Sequence, residues 1–221
     1  MPSKLLTSGH RTDKILNSIM IQIDSTTSPF TFRRVGFQAI TVLGRADAMG
    51  LLPQEERIDA LDFPTFRTVF RYIQRAGIGK TIQFEMEDDP DEMEQALKSL
   101  NTALEESPSP EFEWNRMLEV LGPDLLSALL GISASSIRRY SAAARTTPDE
   151  TAVKLHFISL IVGDLSGAYN EIGVRQWFQR NRAQLAGRAP ADILGGAWKP
   201  EQKGPRQVQD LARALIASPA T

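Results

Sequence analysis

The chain has 221 residues, 42% of them hydrophobic and 24% charged, enough for one large domain or two small ones. It contains no cysteine, which excludes disulfides, thiolate metal sites and cysteine nucleophiles. The formal charge of −2 hides an asymmetry: residues 1–122 hold 13 Lys/Arg and 19 Asp/Glu, a balance of −6, and residues 123–221 hold 12 and 8, a balance of +4. The two halves are therefore expected to meet different partners.

In chain order, Ser18 to Asp24 is rich in β-branched residues and predicts a short strand. Phe30 to Leu43 is ambiguous. Pro53 to Ala60 and Pro64 to Ala76 read as helices. In the second, Phe66, Val69, Phe70 and Ile73 recur at helical spacing and Gly77 supplies the stop. Thr81 to Met86 alternates and predicts a second strand. Asp89 to Glu105 reads as a helix with acids in its first turn, which suits the positive end of the helix dipole. Ser107-Pro-Ser-Pro110 breaks regular structure, and the domain boundary is placed there. Helices are expected beyond it at Glu111–Leu121, Pro123–Leu130, Ser133–Ala144, Asp149–Tyr169, Ile172–Asn181, Pro190–Leu194 and Pro205–Ala217.

Several apparent motifs carry no chemistry. Gln74 to Thr81 ends like a phosphate-binding loop, but Gln74 stands where the first Gly is needed and a helix precedes it. Seven acids fall between Glu85 and Glu94 without the interior Gly of a calcium loop, so a solvated loop and helix start is expected. The two histidines, His10 and His156, are far apart in sequence, and His156 lies in an apolar helix as an expected core residue. No catalytic residues, no metal site and no cofactor are expected, and the chain is not expected to be an enzyme.

Leu125 to Tyr140 fits a helix-turn-helix. Ser127 is small enough for close helix approach, and Gly131 can take a left-handed turn. Ser133 is a natural N-cap, and Leu126, Leu130, Ile132 and Ile137 are the apolar contacts. The second helix would present Ser133, Ser135, Ser136, Arg138 and Arg139, groups that reach phosphates and base edges.

Further on come Val174-x-x-Trp177-Phe178, Leu185-x-Gly187-x-x-Pro190-x-x-Ile193-Leu194 and Gly204-x-x-x-Val208. With the helix-turn-helix, this order resembles the Xre/MbcA/ParS family of antitoxins over roughly residues 115–216. The expected fold is mainly α: the resemblance implies a helix-turn-helix region (111–165) and a toxin-binding domain (166–221), and the predicted elements before the Ser107-Pro-Ser-Pro110 break add an N-terminal α or α+β domain (1–108) outside the resemblance. It implies a type II antitoxin that silences a RES-fold toxin acting on NAD and represses its own operon. Its toxin contacts would be Trp177, Arg188, Trp198, Lys199, Lys203 and Arg206. The other reading is a DNA-binding regulator without a toxin, working on operator DNA as a dimer. Either way a homo-oligomer is expected. No apolar run reaches the roughly 18 residues that span a bilayer, and Met1 to Arg11 lacks a signal-peptide core. No membrane partner and a cytoplasmic location are therefore expected.

Overall fold

A computed structural model describes residues 23–53, 58–85 and 89–217. The protein is mainly α. Two short strands, β1 (Ser25–Thr26) and β2 (Ala60–Leu61), pair in parallel. The helices are α1 (Arg33–Ala48), α2 (Phe63–Arg75), α3 (Pro90–Glu105), α4 (Pro110–Leu121), α5 (Pro123–Leu130), α6 (Ala134–Ser141), α7 (Asp149–Ser166), α8 (Glu171–Gln179), α9 (Pro190–Ile193) and α10 (Lys203–Ala217).

Local chemistry explains most of the helix starts. Asp62 accepts from the Thr65 amide at 2.8 Å and caps α2; Asp89 accepts from the Asp91 and Glu92 amides and caps α3. Pro64, Pro90, Pro110 and Pro123 occupy first-turn positions, where a missing N–H costs nothing.

Three expectations change. The ambiguous stretch Phe30 to Leu43 belongs largely to α1. Pro53 to Ala60 is not a helix where it is described: Ile58 and Asp59 have no regular structure and Ala60 enters β2; residues 54–57 lie outside the described part. Thr81 to Glu85 forms no strand. Phe84 there packs edge-on against Phe66 and Phe70, at 5.1 and 4.8 Å between ring centroids, so the alternation serves one-sided packing without a ladder. Of the strand predicted over Ser18 to Asp24, residues 18–22 lie outside the described part; Ile23 and Asp24 precede β1.

Two apolar clusters form. One gathers residues of α1, α2 and α3 and their connections, with Leu160; the other gathers residues of α4 to α10, with Ala48. Helices α1 and α7 contribute to both, and α7 is the more enclosed. Its residues 154–165 are all buried, as expected of a helix that is covered on every side. Helix α1 packs most extensively against α7 and α3.

At the α1–α7 crossing the backbones touch. A Cβ on Gly44 would lie 2.5 Å from the Gly163 carbonyl oxygen, and one on Gly163 would lie 2.8 Å from Arg45 Cα. Both obstacles are backbone, so a side chain forces the helices apart. Gly163→Ala is expected to lower stability by about 1–3 kcal/mol through overpacking. Urea unfolding checks this; a midpoint equal to that of the unsubstituted protein would refute it.

The same crossing brings buried charges together. Arg45 Nε donates to Asp164 Oδ1 at 3.0 Å, and Arg45 Nη1 reaches Glu105 Oε1 at 2.7 Å. Arg213 of α10 joins them through Glu105 at 2.9 Å. Nearby, Arg116 of α4 donates to Asp47 of α1 at 2.8 Å and reaches Glu171 of α8 at 3.3 Å. Burial raises the Asp164 and Asp47 carboxyls above their ordinary range, and the arginines offset only part of that rise.

Candidate functional site

Helices α5 and α6 have 8 residues each, joined through Gly131, Ile132 and Ser133. Gly131 is left-handed at φ 66°, and its amide donates to the Ser127 carbonyl, closing α5. Ser127 Oγ donates to the Ile132 carbonyl at 2.6 Å, which fixes the turn. Ser133 Oγ accepts from the Ser136 amide and caps α6. Ile137 and Tyr140 face inward, and Tyr140 stacks on Trp114 of α4 with centroids 5.7 Å apart. That packing leaves Ser133, Ser135, Arg138 and Arg139 exposed and Ser136 half-buried. None of these five touches a carboxylate among the described residues.

The C-terminal module follows α7. Arg175 of α8 donates to the carbonyls of Val120 and Glu119, satisfying the end of α4 and seating α8. A 3-10 turn (Ala183–Leu185) leads to α9, where the Asp192 carboxylate accepts from the Ala189 amide. The loop from Leu194 to Gln202 then enters α10, whose Val208 and Ala212 are buried.

The predicted toxin contacts divide. Trp177 and Trp198 are core residues, 1% and 3% exposed, which corrects the expectation that either indole offers a contact surface. Trp177 packs edge-on against Phe178, with the Arg182 guanidinium 5.4 Å over its ring. Trp198 donates from its indole N–H to the Leu129 carbonyl at 2.9 Å and lies 5.4 Å from the Phe157 ring. Large aromatic surface removed from water outweighs exposure for a partner unless one is present. Arg188, Lys199, Lys203 and Arg206 are exposed and have no carboxylate partner among the described residues. Between Arg180 and Arg206 the chain holds six Lys/Arg and two Asp/Glu, and Asp192 is occupied as a cap. These exposed cations are carried on a module in which two tryptophans are buried.

One polar cluster was not foreseen. His156 Nδ1 lies 2.5 Å from Glu113 Oε1, and Nε2 lies 3.0 Å from the Glu105 carbonyl. Ser159 Oγ donates to Glu113 Oε1 and to the His156 carbonyl. The residue types are those of a nucleophile triad, but the hydroxyl does not meet the imidazole. All three side chains are also buried, so no substrate reaches them. The two imidazole nitrogens instead tie α4 and the end of α3 to α7. The sequence signal was the lone His156 in an apolar helix; its partners are 43 and 51 residues away.

Burial pushes the Glu113 carboxyl above its ordinary value of 4.5, against the pull of His156, Ser159 and the Ser109 amide. A carboxyl raised on folding holds its proton better in the folded state. Its contribution is complete below the unfolded value of 4.5 and is lost as pH rises through the folded value. The stability of the protein relative to Glu113→Gln is therefore expected to fall as pH rises above the ordinary carboxyl value of 4.5. Urea midpoints of the two proteins at a series of rising pH values test it; a difference that grows with pH contradicts it.

Comparison with protein-family models, curated proteins and solved structures finds no match to this chain. Among the described residues, no helix is long and apolar enough to cross a membrane. What the fold and surface define is a mainly helical protein with exposed cations on its C-terminal module and on a short capped helix.

Proposed function

We propose that this chain is an antitoxin of the type II kind, which binds and neutralises a RES-fold, NAD-consuming toxin in the cytoplasm and represses its own operon. The observation that carries the reading is the set of exposed cations Arg188, Lys199, Lys203 and Arg206. These groups are exposed and unpaired among the described residues, on a module whose motifs follow the family's order. Unpaired cations are free to complement an acidic protein surface, and Arg is a residue type that dominates interface energies. Trp177 and Trp198 hold the scaffold and do not themselves make contact. Co-expression with the product of the adjacent gene tests the proposal. The neighbour is expected to arrest growth alone and to be silenced by this chain. Replacing Arg188, Lys199, Lys203 and Arg206 together with Ala is expected to abolish the silencing while the chain stays folded. A harmless neighbour, or silencing that survives the replacements, defeats the reading.

A second reading is a homodimeric transcription regulator without a toxin. It is favoured by α6, whose exposed Ser135, Arg138 and Arg139 are of the types that contact DNA. Loss of specific affinity for upstream DNA in Arg138→Ala/Arg139→Ala, with no toxic neighbour, selects it.

A further inference from the structure

We propose that the loop between α9 and α10 is a second nucleic-acid contact of this chain, with Lys199 and Lys203 meeting phosphates beside the groove that α6 enters. The inference rests on the operator-binding reading of α5 and α6. It goes beyond that reading because the loop lies some 60 residues further along the chain and would be absent from a helix-turn-helix alone.

Four observations converge on it. First, the loop lies against the α5–α6 turn. A Cβ on Gly131 would meet the Gly196 carbonyl oxygen at 3.0 Å, and the Trp198 indole donates to the Leu129 carbonyl in the last turn of α5. The residues that would bring α6 to DNA therefore bring this loop with them. Second, the loop is anchored: Trp198 is buried between Phe157 and the Lys154 ammonium, the latter 5.6 Å from its ring. Third, Gly195, Gly196 and Ala197 are exposed and lack bulky side chains, and their amides donate to no backbone acceptor among the described residues. Exposed amides beside cations are a common means of holding phosphate. Fourth, Lys199 and Lys203 are exposed, without carboxylate partners among the described residues, immediately after the anchor and at the first residue of α10. Lys154 supplies no comparable contact, since it is buried and paired with Glu150 at 3.2 Å.

Phosphate contacts add affinity and salt dependence without reading sequence. The test measures binding of the full chain, at several salt concentrations, to the duplex upstream of its own gene and to a shuffled duplex of the same composition. Lys199→Ala/Lys203→Ala is expected to reduce the slope of log affinity against log salt by about 1.8, two phosphates at about 0.9 each. Its preference for the upstream duplex should be retained. Lys199→Arg/Lys203→Arg is expected to keep the slope. Arg138→Ala/Arg139→Ala is expected to lose the preference. If the double alanine variant keeps the full slope while the α6 variant does not, the loop contact is wrong and the operator reading stands. In that case a role for the lysines on a protein partner remains. If the arginine variant loses the slope as the alanine variant does, the effect is local structure and the contact is again wrong. If the full chain shows no preference for the upstream duplex, the operator reading fails and this inference with it.

Discussion

Replacing Trp198 with Ala is expected to lower the stability of the protein by about 3–5 kcal/mol, the range for deleting a buried aromatic side chain. The indole is 3% exposed and packs against Phe157, and the cavity left behind cannot close easily. One side of the site is α7, which is buried over residues 154–165, and another is the last turn of α5. The Leu129 carbonyl also loses its donor, and a buried acceptor without a partner costs about 1–3 kcal/mol. Trp198→Phe separates the two effects, because it keeps most of the ring and removes the N–H. It is expected to lose less than the alanine variant. Urea unfolding followed by circular dichroism measures both. An alanine variant within about 1 kcal/mol of the parent would show that the indole is a surface group, contrary to the burial described above. The residue also couples the two candidate surfaces. With the anchor gone, the loop bearing Lys199 is no longer held to the α5–α6 turn.

What the sequence disclosed and what it withheld follow from the range of the interactions. In α2 the apolar spacing of Phe66, Val69, Phe70 and Ile73 and the stop at Gly77 are local, and the helix lies within one residue of expectation. The turn between α5 and α6 was equally legible, since Gly131 and Ser133 act on residues within a few positions of themselves. Helix α1 was not legible. Thr41, Arg45 and Asp47 interrupt its apolar pattern, yet all three are buried. For the two charged residues, burial is possible because partners arrive from far along the chain: Asp164 lies 119 residues from Arg45, and Arg116 lies 69 from Asp47. At the candidate surface, the charges of Arg188, Lys199, Lys203 and Arg206 were visible as residue types. Whether Trp198 anchors the loop to the core or waits for a partner was left open by the sequence, because its acceptor on Leu129 is 69 residues away and a Gly- and Pro-rich loop fixes no direction by itself. Over the described residues 81–85 the strand predicted at Thr81 to Met86 does not form, for the same reason in reverse (Met86 lies outside the described part): alternation marks a one-sided apolar surface, and nothing local distinguishes a sheet neighbour from a helix.

Removing one member of the buried pair Arg45–Asp164 should be as damaging as removing Trp198. Asp164→Ala is expected to cost about 3–5 kcal/mol, because it strands a buried guanidinium. Arg45 is 4% exposed and Asp164 is fully buried, so water cannot replace the lost carboxylate without opening the helices. Glu105 also contacts Arg45 but is about one-third exposed and shared with Arg213, which makes it a weaker substitute. The pair lies next to the Gly44–Gly163 crossing, where the backbones leave no room for adjustment. Replacing both partners with apolar residues of similar volume, Arg45→Met and Asp164→Leu, is expected to cost less than either loss alone, since no charge is then left unpaired. A double-mutant cycle reads this as a favourable coupling of more than about 1 kcal/mol. Additive single and double losses would mean that the two side chains stabilise the fold independently. The consequence reaches the candidate surface through Arg213, which lies 3.6 Å from Asp164 and 2.9 Å from Glu105 and ties α10 into the same cluster. Lys203 and Arg206 are carried on that helix. Loosening the charge cluster is therefore expected to weaken partner binding in Asp164→Ala even at temperatures where the protein remains folded.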